Sequence, residues 1–385
     1  MHPLFQGGMA FDSNPHRSTG ETADGDMFLL MQGGFDIVVP SDRIDVRMHN
    51  VISYHHYLGL VSAAGESNTA NLSTVKGGTA LQLLGNRKGK VRWGTALRIN
   101  RLDEPEPLNL GVRQGRWNNS GEGFLEWRPG GRAIGIKPSA SLGSENYDAN
   151  SVGATDLNRV SPGLRLDIDW RFLPRTQIVL NNAWTTSVYT NDDSNNGYAD
   201  PISSELGIMG QVSPRLSVII AGGYSGSQFY LSSKGEGIHT FSGQAEIRYD
   251  EQRKVTWRLG ARRRLLPVTM FGFMTENSAY ARYSERYRGG FRVVTQLKGN
   301  LRTFGALTAN DIISISSGTE RADISAGFDA NLLWQPKKSW MIGLTNRFEI
   351  FDTNSVFKSA GVQGDNFVDP SFGRNLSMLV FEAKY

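Results

Sequence analysis

The stretch from Pro162 to Tyr189, PGLRLDIDWRFLPRTQIVLNNAWTTSVY, constrains the fold more than any other part of the chain. Leu164, Leu166, Ile168, Trp170 and Phe172 alternate with Arg165, Asp167, Asp169 and Arg171. A strict period of two places every apolar side chain on one face of a strand and every charge on the other. Strands of soluble sheets usually run to about 5 or 6 residues. This run is about twice as long, and about 9 to 11 residues are what a tilted strand needs to cross a bilayer. Leu173-Pro174-Arg175-Thr176 then makes a tight reversal, with proline presetting φ, and Gln177 to Tyr189 returns. Thr190 to Ile202, TNDDSNNGYADPI, is polar, acidic and far longer. A hairpin with one short and one long connection is the unit of an outer-membrane barrel.

The same hairpin recurs along the chain. Ile44, Val46 and Met48 alternate with Asp45, Arg47 and His49, and Val91, Trp93, Thr95, Leu97 and Ile99 alternate with Arg92, Arg98 and small residues. Later, Phe241 to Tyr249, Val255 to Arg262 and Ile324 to Trp334 repeat the pattern, with short turns at Asp250-Glu251-Gln252-Arg253 and Gln335-Pro336-Lys337-Lys338. About 18 strands follow, an even number with both termini on the short-turn side, as single-chain bacterial barrels require. Residues 1–385 show no composition break and read as one all-β domain, a transmembrane antiparallel β-barrel with short periplasmic turns and long extracellular loops. No apolar run approaches the roughly 18 residues of a membrane helix. Aromatics beside the short turns (Trp127, Trp170, Phe172, Tyr249, Trp334, Trp340) sit where an interfacial girdle belongs.

Composition narrows the function classes. The 41 basic and 37 acidic residues leave a net charge of +4, too little to argue for nucleic acid. The absence of cysteine excludes disulfides, thiolate metal sites and thiol nucleophiles. Met1-His2-Pro3 begins without a secretory leader, so the sequence is read as a mature chain whose signal peptide has been removed. Tyr385 at the end, with Phe381 and Leu379 on its face, is similar to the C-terminal strand signature read by the barrel-insertion machinery. Outer-membrane lipid and lipopolysaccharide are then the surroundings of the outer face.

Certain motifs resemble the β-barrel porin 2 family, outer-membrane barrels often tied to exopolysaccharide export. They are Phe11-Asp12-Ser13-Asn14-Pro15, Ser161-Pro162-Gly163-Leu164 into Leu173-Pro174-Arg175-Thr176, and Leu206-Gly207 to Val212-Ser213-Pro214-Arg215 with Ala221-Gly222-Gly223-Tyr224. The likeness concentrates between Arg159 and Tyr230. It implies a secretion channel for a surface polysaccharide that works with periplasmic partners. A diffusion porin for small polar solutes and a non-conducting anchor of an envelope machine are the alternatives.

The charged face expected to line the lumen collects Arg92, Arg98, Arg165, Asp167, Asp169, Arg171, Glu246, Arg248, Arg258, Arg262, Asp323, Asp329, Arg347 and Glu349. Mixed charge of this kind guides polar solutes, or forms cross-strand salt bridges that stiffen a water-filled barrel. The short turns are basic, and Arg87, Lys88, Arg253, Lys254, Lys337 and Lys338 are expected to form a periplasmic docking surface for an acidic partner, the alternatives being an entry funnel for an anionic polymer or solvated ends with a charge bias. The long loops are acidic, with Asp24, Asp26, Asp103, Glu104, Glu106, Asp192, Asp193, Asp200 and Asp365. His49, Ser53, His55, His56 and Glu66 invite a Ser/His esterase reading, but His56 faces away from the others and neither an oxyanion hole nor a G-x-S-x-G elbow accompanies them. Asn191 to Gly197 lacks the closing glutamate of a calcium loop. The chain is therefore read as a non-enzyme without a cofactor or bound metal.

Overall fold

A computed structural model of the chain describes residues 2–14, 25–59, 73–102, 115–129, 133–148, 158–190, 198–230, 236–251, 254–268, 272–304, 313–315, 321–358, 367–368 and 371–384. In chain order the strands are β1 (His2–Asp12), β2 (Asp26–Val39), β3 (Ile44–Tyr57), β4 (Thr74–Gly85), β5 (Val91–Leu102) and β6 (Arg116–Trp127). There follow β7 (Ile134–Tyr147), β8 (Arg159–Leu173), β9 (Thr176–Thr185), the two-residue β10 (Val188–Tyr189), β11 (Tyr198–Gln211) and β12 (Leu216–Tyr230). Next come β13 (Glu236–Glu251), β14 (Val255–Val268), β15 (Gly272–Arg286), β16 (Phe291–Phe304) and β17 (Ile313–Ile315). Last are β18 (Ala322–Lys337), β19 (Trp340–Thr353), β20 (Ser355–Lys358), β21 (Phe367–Val368) and β22 (Phe372–Lys384).

Nineteen of these form one antiparallel sheet, and because β10 only prolongs β9 against β8, eighteen wall positions result. The small strands β17, β20 and β21 make a separate sheet. The large sheet closes on itself: β1 pairs with β2 on one side and with β22 on the other, from Leu4↔Lys384 to Asp12↔Leu376. For 18 strands about 4.8 Å apart and tilted about 40°, closure sets opposite backbones about 36 Å apart.

Register and exposure divide the side chains cleanly. Leu164, Leu206, Ile220, Leu259, Leu297, Ile324, Leu344 and Leu379 stand 50–60% exposed on the outside, whereas most of their sequence neighbours in the other phase are charged, polar or small, Ile219, Met378 and Val380 being apolar. Aromatics bound this apolar band. Trp257 packs on Tyr283 (4.5 Å), Phe291 on Trp334 (5.8 Å), Trp334 on Trp340 (5.3 Å) and Trp340 on Phe381 (6.5 Å), forming an arc near the short turns. On β6, Trp117 and Trp127 both face outward at opposite ends of the strand, about 26 Å apart along the barrel axis at about 3.4 Å per residue and that tilt. An outer-membrane barrel needs an apolar belt about 25 Å tall.

Most strands run farther toward the long loops than the alternation indicates. β6 starts at Arg116, β11 at Tyr198 and β15 at Gly272, ahead of the stretches where large apolar residues alternate with polar ones. At Trp117-Asn118-Asn119-Ser120 the outward position Asn119 is polar like its inward neighbours, so the period of two fades while the hydrogen-bond ladder continues. The short turns fall where turn chemistry puts them. At Arg288-Gly289-Gly290, φ reaches 78° and 83° at the two glycines, and a Cβ on Gly290 would lie 2.2 Å from the Gln335 carbonyl oxygen.

Two adjacent residues of β11 separate the two environments. Leu206 (59% exposed) points to the outside at mid-height and Glu205 points to the lumen. Leu206→Arg is expected to cost about 2–4 kcal/mol of barrel stability, while Glu205→Arg is tolerated. Equilibrium unfolding of both variants from lipid vesicles checks this, and equal costs would contradict the assignment of faces.

Candidate functional site: the inner wall

The inner face is mostly a lattice of paired charges. Arg128 donates to Glu126 (Nε–Oε1 2.6 Å) and, through both terminal nitrogens, to Asp169 (2.9 and 3.0 Å). Arg92 also donates to Glu126, Arg165 Nε donates to Asp167 (2.7 Å), Arg347 Nε to Asp329 (2.6 Å), and Arg374 to Asp12 (2.8 Å from Nε). These are cross-strand or near-neighbour bonds that stiffen a wet interior.

Two rows on the wall formed by β13 to β19 differ in kind. Toward the long loops, Arg264, Glu276, Arg302, Asp323 and Thr353 stand directly opposite one another on five successive strands. Charge alternates along the row. Arg264 donates to Glu276 Oε1 (2.9 and 2.7 Å), Arg302 to Glu276 Oε2 (3.0 Å), and Thr353 to Asp323 Oδ1 (2.6 Å). Asp323 also takes a two-pronged bond from the buried Arg321 (2.8 and 2.7 Å), whose guanidinium lies 4.4 Å from the Phe304 ring centre.

Six residues nearer the short turns, Arg248, Arg258 and Arg282 are likewise direct cross-strand partners. Here no carboxylate intervenes. Arg248 reaches Asp250 (Nε–Oδ2 2.7 Å), but among the described residues Arg258 and Arg282 hold no carboxylate at ion-pair distance, and neither do Arg262, Arg286 and Lys298 on the same wall. Among the described residues the acids beside this group are Asp250, which Arg248 and the Thr256 hydroxyl occupy, and Glu246, to which the Tyr280 hydroxyl donates. Tyr280 can reach across because its intervening partner is Gly260, where a Cβ would sit 2.5 Å from the Tyr280 ring. Like charges directly opposite each other are destabilising, so the row is a cost to the fold. At its foot a cavity of about 560 Å³ is lined by Arg171, Arg175, Gln177, Gln211, Glu246 and Arg248.

The residues expected to line the lumen fall as follows. Arg92, Arg165, Asp167, Asp169, Arg248, Asp323, Asp329 and Arg347 are in ion pairs, Glu246 binds Tyr280, and Arg171 lines the smaller cavity. Arg98, Arg258, Arg262 and Glu349 lie on the inner face without an ion pair among the described residues. Alternation alone missed Arg264, Glu276, Tyr280, Arg282, Arg286, Lys298 and Arg302. The run Arg262-Arg263-Arg264 conceals its phase, and Ala279-Tyr280-Ala281-Arg282 lacks the large outward residues that mark a membrane strand; Arg282 and Arg286 at even spacing were the available signal.

Among the short-turn cations, Arg87 binds Asp45 (2.7 Å) and Lys88 binds Asp42 (2.7 Å). Lys254, Lys337 and Lys338 are exposed, and Arg253 lies outside the described residues. The histidines are dispersed: His49 meets Asp36 (2.5 Å), His55 stacks on Phe28 (5.3 Å) and His56 stacks on Tyr54 (5.9 Å) outside. Glu66, the Asn191 to Gly197 loop and Tyr385 lie outside the described residues, as do most of the acidic loop positions. Asp26 is described and fully buried, bonded to the backbone of Met27 and Gly59.

No protein-family model matches the sequence, and no curated relative matches it. Solved structures do. The FrpB iron transporter of Neisseria meningitidis, F5-1 variant, in its apoprotein form superposes with a TM-score of 0.52 at 8% identity, covering 100% of this chain and 81% of that one. Another structure of the F5-1 variant gives 0.51 at 8%, covering 100% and 82%. OccAB3 of Acinetobacter baumannii gives 0.48 at 12%, covering 100% and 99%. At such identities the likeness is one of fold. The chain is a closed, 18-stranded transmembrane β-barrel of the outer-membrane type. What stands of the resemblance to the β-barrel porin 2 family is this architecture.

The two rows respond oppositely to loss of charge. Glu276→Gln leaves Arg264 and Arg302 facing each other at a site where the carboxylate is 7% exposed, and should cost about 2–3 kcal/mol. Arg282→Gln should leave stability unchanged or raised by up to about 0.5 kcal/mol. The temperature at which the barrel loses its folded mobility on detergent gels separates these outcomes.

At the long-loop rim, hydrogen bonds from Arg101 hold the Asp148 carboxyl below the usual aspartate range, against burial acting the other way. A depressed folded value means a contribution that is complete above the ordinary aspartate pKa of about 3.9. It is lost as pH falls below that through the folded value. Asp148→Asn should therefore lower stability at pH 7 and flatten its dependence on pH below about 4, read by thermal unfolding across pH 2.5 to 7.

Proposed function

We propose that this barrel is a channel of the bacterial outer membrane whose conduction path favours anions. The observation that carries the reading is the row Arg248, Arg258 and Arg282, with Arg262, Arg286 and Lys298 beside it, on one wall of the lumen without enough carboxylate to balance it. Among the described residues most other arginines of the inner face, Arg98 and Arg171 apart, are matched by acid, so a structural role does not account for this group. A passing anion supplies the missing charge. Screening limits the effect to about 8 Å at physiological salt, less than half the width of the barrel, so selection acts on solutes that travel along the arginine wall.

In this reading the apolar belt sits in outer-membrane lipid, the long loops face lipopolysaccharide and the exterior, and the barrel-insertion machinery recognises the last strand. Export of an acidic surface polysaccharide, with a periplasmic partner at the basic short turns, is the second reading. The axial run of cations from Arg262 through Arg258 and Arg282 to Arg286 and Arg292 favours it, because a polymer with repeated charges engages several at once.

Reversal potential in planar bilayers under a salt gradient tests the proposal. The wild type should be anion-selective, and Arg258→Glu with Arg282→Glu should lower the anion-to-cation permeability ratio roughly threefold or more. An unchanged ratio removes the wall from the conduction path, and silence from a verified folded barrel removes conduction. Block by acidic but not neutral oligosaccharides favours the polymer.

A further inference from the structure

A second cavity, of about 800 Å³, lies on the inner side of β2 to β5 near the short turns. His2, Asp36, His49, Ala80 and Arg98 stand in register across its back wall, with Val38, Arg47, Gln82 and Ala96 one row nearer the short turns. The alanines leave the space. Lys338 and Ser339 also line it, although their strands are separated from β2 by β22 and β1. That turn therefore leans over the mouth of the barrel instead of pointing away from it.

The charges around the cavity are unbalanced. Among the described residues Asp36 is the single carboxylate lining it, and His49 Nδ1 already lies 2.5 Å from its Oδ1. Arg47 is turned toward Asp45 (3.0 Å), which also holds Arg87 (2.7 Å). The Arg98 guanidinium, on the wall, and the Lys338 ammonium, on the turn, have no hydrogen-bond or ion-pair partner among the described residues.

We propose that this cavity is a binding site for a small organic anion that carries phosphate or carboxylate on a hydroxylated body. Arg98 presents a planar fork that suits either group, and Lys338 adds a point charge from the opposite side. The Gln82 amide is placed for hydroxyls. The volume lies within the roughly 300–1,000 Å³ of small-molecule sites, and is far more than an inorganic anion fills. The site is separate from the arginine wall, which lies on β13 to β16 across the lumen. It rests on the barrel geometry alone and does not require that the barrel conduct.

Calorimetric titration of the full, folded chain in detergent at low ionic strength tests it, with glucose 6-phosphate, glucose and inorganic phosphate as probes. Glucose 6-phosphate should bind at one site, and Arg98→Gln with Lys338→Gln should weaken it tenfold or more. Arg258→Gln with Arg282→Gln should leave that binding in place even if it abolishes anion selectivity in bilayers. Ala96→Leu, which fills the cavity and removes no charge, should weaken it as well. Unaltered affinity in the Arg98/Lys338 variant, loss only in the Arg258/Arg282 variant, equal binding of glucose, inorganic phosphate binding as tightly as the sugar phosphate, or no binding by the wild type would each overturn the proposal.

Discussion

A backbone amide or carbonyl in hydrocarbon has no water to bond, and everything else in this structure depends on that. Each strand must have a paired neighbour on both sides, so the sheet cannot end within the membrane. The seam between His2–Asp12 and Phe372–Lys384 meets the requirement. Once the sheet closes, the outside must be apolar over the height of the bilayer and the inside is free to be polar. The usual arrangement of a soluble protein is inverted, with leucine and tryptophan outside and arginine and aspartate within.

Inside the barrel, arginine plays two different parts. Where it alternates with acid across the strands, as from Arg264 to Asp323, it ties the wall together. Where Arg248, Arg258 and Arg282 sit side by side, it charges the wall. The difference is made by small local features. Gly260 clears the way for Tyr280 to reach Glu246, so that acid is occupied by a hydroxyl instead of a guanidinium. The cavity beneath Lys338 shows the same economy: Asp36 is held by His49 and leaves Arg98 unanswered. Positive charge thus lies on two separate parts of the lumen wall.

Much of this architecture was legible in the chain. Wherever large apolar residues alternated with charges, as from Leu164 to Phe172, strand, phase and turn could all be read. The long-loop ends were not legible: in the sequence from Arg116 to Ser120 and from Tyr198 to Ser204 polar residues stand in both phases and the period disappears. The inner-face candidates were found where a bulky outward residue set the phase, as for Arg258 beside Trp257. They were missed where alanine did so, as for Arg282 beside Ala281.

The sequence by itself determined that the chain forms long amphipathic strands joined by alternating short and long connections, because period and turn chemistry are local properties. Only the tertiary structure decided which charges neutralise each other. That depends on register between strands far apart in sequence, such as Arg302 opposite Asp323 and Asp12 beside Arg374. It also depends on a turn such as Lys338–Ser339 meeting a wall built from the first hundred residues. Closure sets these contacts, and closure belongs to the whole sheet.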